Sequence, residues 1–248
     1  MNILVCVSRV PDTASRVLVG SDGKNIDSSG LKYVVNPYDE FAIEEGLRLR
    51  EKNGGSVTVV TIGADISKDI LRTALAMGAD KVILVKAENI SDSYFIIHNL
   101  AEIAKEISPD IILLGKQSVD YDSLQVAPSL AEMLGLPSIS LVSKLTIEGN
   151  KVRAERDVEG GKEVLEASLP CVISAQKGLN DPRYPKLPDI MKAKQKPIEE
   201  RNAVEATSRT SVLQMTIPSK KRAGKVLTDS DGDIAELARL LHEEAKVI

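Results

Sequence analysis

The chain has 248 residues, 43% hydrophobic and 27% charged, enough to bury a full core as one large domain, or one domain with an extension, and too apolar for disorder. A formal net charge of −4 excludes the basic surface excess on which general nucleic-acid binding depends, and 3% aromatic residues with no Trp leave little for base-stacking platforms. Two cysteines, Cys6 and Cys171, each inside an apolar run, read as buried, reduced thiols and argue against a disulfide framework or a metal site.

In chain order, Asn2 to Val7, Ser56 to Ile62, Lys81 to Val85 and Asp110 to Leu114 are short runs rich in Val and Ile. Such runs, alternating with helical patterns, read as buried parallel strands. Tyr38 to Lys52 is an amphipathic helix with Phe41, Ile43, Leu47 and Leu49 on or near one stripe and Glu44, Glu45, Arg48 and Glu51 mostly outside it; Asn36-Pro37 opens it and Asn53-Gly54-Gly55 closes it. Further helices are expected over Ser67 to Met77, Ser91 to Ile107 and Ser123 to Leu134. The alternation calls for an α/β fold: a parallel sheet covered by helices on both faces, with right-handed crossovers. Ligands in such sheets sit beyond the carboxyl ends of the strands, so the loops Ser8 to Ser15, Gly63 to Ser67 and Gly115 to Ser123 are the ones to inspect.

After Gly135 the pattern changes. Ile139 to Ile147, Lys151 to Val158, Val164 to Ala167 and Cys171 to Ala175 read as antiparallel strands appended to the sheet edge, with turns at Glu148-Gly149-Asn150 and Gly160-Gly161. From Gln176 to about Thr228 the chain is polar and broken by prolines; such a segment lacks a core of its own and is expected to hang free or lie along a partner. A last helix, Asp231 to Lys246, carries the stripe Ile234, Leu237, Ala238 and Leu241. No apolar run approaches the roughly 20 residues of a membrane span, and the N-terminus enters a strand at once, so a soluble, intracellular protein is expected.

The most informative loop is Gly115-Lys-Gln-Ser-Val-Asp-Tyr-Asp-Ser-Leu-Gln-Val126. A glycine leaving a strand permits a sharp turn, and the N–H groups opening the next helix then face an anion. An ordinary strand-to-helix turn is the alternative, because neither a Walker loop nor a Gly-x-Gly-x-x-Gly fingerprint is present. Asp120 and Asp122 would repel phosphate unless they face ribose hydroxyls or a base, or cap the helix. Asn36-Pro-Tyr-Asp39 opens a helix, with Asn36 placed to cap it, or borders the same crevice and touches a nucleotide. The charged turn Arg156 to Glu163 is a solvated hairpin, or offers Asp157 and Glu163 to a cationic partner. Leu187, Ile190 and Met191, set beside Lys192, Lys194 and Lys196, suit either transient docking on an acidic partner or a short helix packed on its own domain. His98 and His242 have no second ligand at metal spacing, and no nucleophile with a paired base occurs, so acid–base enzyme chemistry is not expected.

Taken together these motifs resemble the beta subunit of electron transfer flavoproteins over essentially the whole chain. The pieces are Ile3-Leu-Val-Cys-Val-Ser-Arg-Val10, Asn36-Pro-Tyr-Asp-Glu-Phe-Ala-Ile-Glu-Glu45, Thr73-Ala-Leu-Ala-Met-Gly-Ala-Asp80, Leu114-Gly-Lys-Gln-Ser-Val-Asp120, Glu155-Arg-Asp-Val-Glu-Gly-Gly161, Leu169-Pro-Cys-Val172 and Pro182-Arg-Tyr-Pro-Lys-Leu-Pro-Asp-Ile-Met-Lys-Ala-Lys194. Any one alone is weak; their order makes them specific. The resemblance implies a Rossmann-like parallel sheet of the adenine nucleotide alpha hydrolase type with an antiparallel edge extension and a C-terminal arm that embraces a partner. It divides the chain into a nucleotide-binding domain (1–175), a partner recognition region (176–200) and an arm with a helix packing on the alpha subunit (201–248).

It also implies a heterodimer whose alpha subunit holds most of the redox FAD while this subunit binds AMP. Carried over by position, AMP contacts fall at Cys6, Asn36, Pro37, Tyr38, Asp39 and Ile62, and at Gly115, Lys116, Gln117, Ser118, Val119, Asp120, Asp122, Ser123, Leu124, Gln125 and Val126, most through backbone groups. The stretch around Leu187 looks like the family's recognition loop for flavin-dependent dehydrogenases such as acyl-CoA dehydrogenases, with electrons passed on to a quinone oxidoreductase. Residues Val10-Pro-Asp-Thr13 and Gln125-Val-Ala-Pro128 lean toward the electron-bifurcating branch, in which a second FAD replaces AMP; Asn36-Pro-Tyr-Asp-Glu-Phe-Ala42 is closer to the AMP type, which is preferred. A carrier of this kind resides in the cytoplasm of a prokaryote or in the mitochondrial matrix. A stand-alone nucleotide-binding module similar to universal stress proteins is the rival from another class, and a ligase or pyrophosphatase acting on ATP is disfavoured for want of a serine- and glycine-rich pyrophosphate loop.

Overall fold

The Val- and Ile-rich runs become the inner strands of one sheet in the computed structural model, which describes residues 1–90, 92–218 and 224–248. Ser91, expected to open a helix, and residues 219–223 of the expected arm lie outside the described residues. In chain order the elements are β1 (Asn2–Cys6), β2 (Arg9–Pro11), β3 (Tyr33–Val35), α1 (Pro37–Asn53), β4 (Ser56–Gly63), a short 3₁₀ turn (Asp65–Ser67), α2 (Lys68–Met77), β5 (Lys81–Lys86), α3 (Ser93–Ile107), β6 (Ile111–Gly115), α4 (Val126–Leu134), β7 (Ser138–Glu148), β8 (Lys151–Val158), β9 (Gly161–Ser168), β10 (Cys171–Ala175), α5 (Leu187–Gln195), β11 (Glu199–Asn202) and α6 (Asp231–Arg239). Among the described residues the large sheet runs β11-β5-β4-β1-β6-β10-β7-β8-β9. It is parallel from β11 to β7 and antiparallel across β7, β8 and β9.

Alternate side chains of β1 point into two separate cores. Ile3 and Val5 join α1 and α2 on one face, where Ala42, Ile43, Leu47, Leu71 and Ala74 are fully or almost fully buried. Leu4 and Cys6 join α3 and α4 on the other, with Leu100, Ala101, Ala127 and Leu130. Both faces of the central strands are therefore covered, which is why they read as unbroken apolar runs. Burial of each large side chain in these layers contributes about 1.5–3 kcal/mol.

Four expectations are corrected. Cys171–Ala175 is not an antiparallel edge strand: β10 lies inside the sheet, parallel to both β6 and β7, with all five residues buried. Glu44 and Glu45 are not outside the buried stripe of α1; they are 2% and 8% exposed, because the chain after β10 returns over them. The polar stretch after Gln176 is not wholly uncovered, since α5 packs on α2 and β11 pairs in parallel with β5, Glu199 opposite Ile83. Helix α4 starts at Val126, not Ser123, so Ser123, Leu124 and Gln125 belong to the preceding loop. A small antiparallel pair, β2 with β3, interrupts the expected β-α order between β1 and α1.

The chain divides into two compact units, Met1–Gln214 and Met215–Ile248. In the second, taken by itself, the Ser230 side chain accepts the Asp233 N–H at the start of α6, and Arg239 pairs with Glu236 (2.9 Å) and Glu243 (3.0 Å). A π-helical turn, Leu240–Glu244, follows. Among the described residues no helix is long and apolar enough to cross a membrane.

Candidate functional site

Strand order locates the site. From β1 the chain moves to β4 and then β5 on one side, and returns at β6 on the other side of β1. The reversal leaves the carboxyl ends of β1 and β6 side by side with their loops diverging, the place where open α/β sheets bind ligands.

Two side chains from the start of α1 hold these ends together. Asp39, buried, accepts the N–H of Ser8 just past β1 (2.7 Å) on one oxygen and the N–H of Gly115 ending β6 (2.8 Å) on the other. Burial pushes the Asp39 carboxyl up to about 7, against hydrogen bonds from Ser8, Asn36 and Gly115, with nearby Asp120 adding to the rise. Asn36, fully buried, makes no cap with its side chain, contrary to the capping expectation. Its amide instead donates to the Gln117 carbonyl (2.8 Å) and accepts the Val119 N–H (3.2 Å), while its own N–H donates to the Ser8 carbonyl (2.9 Å). A short polar residue at this corner can thus either cap or clamp, and here it clamps.

Gly115 is required by close approach. A Cβ there would lie 2.4 Å from Asp39 Oδ1 and 2.7 Å from both the carbonyl carbon and the Cβ of Tyr38. Beyond it, the Lys116 N–H donates to the Ala175 carbonyl (2.9 Å), and its ammonium lies 4.7 Å from the centre of the Tyr38 ring, a cation–π contact. Farther along, the loop loosens: Asp120 through Gln125 are all exposed. Asp122 and Leu124 have φ of 50° and 55°, the left-handed region that non-glycine residues rarely occupy. Leu124 is followed by Gln125 in the right-handed region, an alternation that turns successive N–H groups toward one side. Among the described residues the N–H groups of Ser123, Leu124 and Gln125 find no protein acceptor. Neither aspartate caps α4: Asp122 accepts instead from the Gln117 side chain.

Of the remaining expected positions, Cys6 is buried at the end of β1, where burial first and the Asp39 carboxylate second push its thiol well above the usual range. Ile62 is half-buried near the end of β4, Pro37 and Tyr38 are half-buried at the start of α1, and Ser118 and Val126 are half-buried. The structure therefore gathers Cys6, Asn36–Asp39 and Gly115–Val119 at one corner and leaves Asp120 to Gln125 on its rim. Sequence reading missed four supports. These are Ser8, whose backbone meets Asp39 and Asn36; Thr61, whose buried hydroxyl donates to the Val7 carbonyl (2.8 Å); and Arg9, which lies 4.0 Å from the Tyr33 ring centre and pairs with Asp69 (2.9 Å). The fourth is Ser174, whose hydroxyl accepts the Leu141 N–H (3.0 Å). The polar residues at the ends of apolar runs, Ser8 and Arg9 above all, were the available signal.

The second predicted surface lies elsewhere. Helix α5 carries Leu187, 73% exposed, with Met191 and Ile190 also exposed; Lys192, Lys194 and Lys196 are exposed around them. A cleft of about 390 Å³ runs between α5 and the end of α2, and another of about 460 Å³ lies beside α3 and β11. In the β8–β9 hairpin, Glu163 pairs with Arg156 (2.7 Å) and Asp157 with Lys162 (3.6 Å).

Residues 24–206 match the family model described as electron transfer flavoprotein domain. The chain is 43% identical to the electron transfer flavoprotein subunit beta of Bacillus subtilis and 41% identical to that of Bradyrhizobium diazoefficiens, in each case over the full length of both chains. It is 36% identical to the Bos taurus protein of the same description, over 97% of this chain and 98% of that one.

Proposed function

The chain belongs to the electron transfer flavoprotein family as a beta subunit, and from that membership we propose that it binds AMP beyond β1, β4 and β6, completes the site of an FAD held mainly by an alpha subunit, and docks flavin-dependent dehydrogenases through α5. The observation that carries the nucleotide reading is the Asp39 bridge between the ends of β1 and β6. It fixes a loop whose last N–H groups, at Ser123, Leu124 and Gln125, find no acceptor among the described residues.

The donor set fits an adenylate. Unclaimed backbone N–H groups ahead of α4 suit a phosphate, and the rim carboxylates Asp120 and Asp122 suit ribose hydroxyls, where a second phosphate would be repelled. When bound, the flavin supplies the redox chemistry. This subunit's own residues orient and exclude: Asn36 and Asp39 hold the loop, Cys6 and Ile62 belong to the apolar core at the ends of β1 and β4, and bound AMP would stabilise the fold by linkage. After reduction by a dehydrogenase, the complex passes its electrons to a quinone oxidoreductase. A second reading, with FAD in place of AMP as in bifurcating relatives, is favoured by the motifs Val10-Pro-Asp-Thr13 and Gln125-Val-Ala-Pro128.

Co-expression with the alpha subunit, acid release and chromatography of the bound nucleotides test the reading. One AMP for each flavin supports it, and two flavins without AMP support the second reading. A heterodimer free of adenylate and colourless overturns both.

A further inference from the structure

Helix α5 has nine residues, too few to persist alone in water, yet it presents its large apolar residues, Leu187, Ile190 and Met191, outward. What holds it is attached at both ends, and both attachments are arginines far away in sequence from their partners. At the carboxyl end, Arg72 of α2 donates from one guanidinium nitrogen to the carbonyls of Ala193 (2.7 Å) and Lys196. A cation on the last carbonyls of a helix satisfies unpaired acceptors and opposes the helix dipole. Ala193, 2% exposed, fits against α2 beneath this contact, and the Lys196 ammonium donates to the Ala79 carbonyl (3.2 Å).

At the amino end, Arg183 grips α1. Its guanidinium meets both oxygens of Glu44 (2.8 and 3.1 Å) and Glu51 (2.6 Å), and its N–H donates to Glu44 (3.1 Å). Burial alone would raise the Glu44 carboxyl; hydrogen bonds from Arg183 and Arg48 outweigh it and hold the group below its usual range. Asn180 adds bonds to the Phe41 carbonyl (3.0 Å) and Glu45 (2.9 Å).

We propose that Arg72 and Arg183 are positioning residues for electron transfer: they pin the two ends of α5 so that Leu187, Ile190 and Met191 stand as a preformed ridge for the dehydrogenase. Each acts by removing an ordering cost that docking would otherwise bear. The inference rests on the reading of α5 as the docking surface, and the test separates the two.

The assay is steady-state reduction of the purified heterodimer by an acyl-CoA dehydrogenase, with the heterodimer as the varied substrate. Arg72→Ala is expected to raise KM about tenfold with kcat within about twofold, an ordering cost expressed in docking alone, and with flavin and adenylate content unchanged. Arg72→Lys, which keeps a single donor centre, recovers part of the loss. In a Leu187→Ala background the Arg72→Ala effect shrinks to less than about threefold, because there is no anchor left to place. If Leu187→Ala raises KM and Arg72→Ala does not, the positioning role is wrong and the docking surface stands. Should Leu187→Ala leave KM unchanged, the docking reading itself fails. Arg183→Lys serves as the second variant; if neither Arg72→Lys nor Arg183→Lys assembles with the alpha subunit, the arginines are folding residues and the proposal is overturned.

Discussion

Replacing Gly115 by alanine tests the corner between β1 and β6 most directly. The added methyl would sit 2.4 Å from Asp39 Oδ1 and 2.7 Å from two carbons of Tyr38, against an ordinary carbon contact of about 3.5–4.0 Å. One of those carbons is backbone and the other is fixed to it in the first turn of α1, so no flexible side-chain tip can swing away. The strand end must move by about 1 Å to restore contact distance, and doing so breaks the Gly115 N–H bond to Asp39. Overpacking of this kind costs about 1–3 kcal/mol, and a lost hydrogen bond to a carboxylate about 1.5–3 kcal/mol. For a domain of this size the sum corresponds to a fall in Tm of roughly 10 °C. Thermal denaturation of the purified heterodimer and its adenylate content are the two readouts, and both should fall. Gly161→Ala is the control, since nothing lies within 4 Å of a Cβ there and its φ is not in the left-handed region; it should shift Tm by less than about 2 °C. A Gly115→Ala heterodimer with wild-type Tm and a full complement of adenylate would refute the account of the corner.

Asp39→Asn bears on the same corner through pH. The folded carboxyl titrates near 7 against an ordinary 3.8, so the native state keeps a proton that the unfolded chain has released; stability from this position is full below the ordinary carboxylate range and is lost as pH rises through about 7. The wild-type Tm should therefore fall more steeply than that of Asp39→Asn between about pH 5 and pH 7, by at most about 1.4 kcal/mol per pH unit, and parallel curves would count against the buried carboxylate. Asn36→Ala removes the partners of the Gln117 carbonyl and the Val119 N–H together, at a cost of about 2–4 kcal/mol, and should reduce adenylate retention on gel filtration; retention equal to wild type would show that the clamp is dispensable. Burial pushes the Cys171 thiol up to about 11 and that of Cys6 higher still, so neither should react with a disulfide reagent in the folded heterodimer at about pH 8. Both should react after denaturation, and rapid labelling of the native protein would contradict their burial.

The inner sheet was legible because its strands are buried on both faces, and a strand with no solvent face has no alternation to hide it. Ile3 to Val5 and Ile111 to Leu114 carry that signature, and so does Cys171 to Ala175, whose unbroken run of apolar and small residues was itself a sign of a central strand. It was read as an edge because the strands before it in sequence, Lys151 to Val158 and Gly161 to Ser168, carry charged residues throughout and form the outer end of the sheet, with β9 at the edge; chain order misled where burial pattern would not have. β11 was illegible for the opposite reason. Glu-Glu-Arg-Asn has no apolar pattern, and it enters the sheet through backbone bonds to β5 and through ion pairs such as Glu200 with Lys68 (2.7 Å).

The buried face of α1 shows the general limit most clearly. From Tyr38 to Lys52 alone, Glu44 and Glu45 belong to solvent, and no local property of the helix says otherwise. They are buried because Asn180 and Arg183, about 135 positions away, supply the donors that make burial tolerable. Arg183 was visible in sequence only as one member of a proline-rich run. The strand-end corner was recoverable, since glycine, asparagine and aspartate at the ends of apolar runs are local signals. The brace that sets the angle of α5 was not, because each of its arginines finds its partners through the tertiary fold. A docking surface built on such a brace should tolerate changes in its exposed lysines, each a steering charge in water, more readily than the loss of a single hidden carboxylate: Glu44→Gln, which keeps the shape and removes the charge facing Arg183, should raise KM for the dehydrogenase more than Lys194→Gln does, and the reverse order would place the specificity in the lysines.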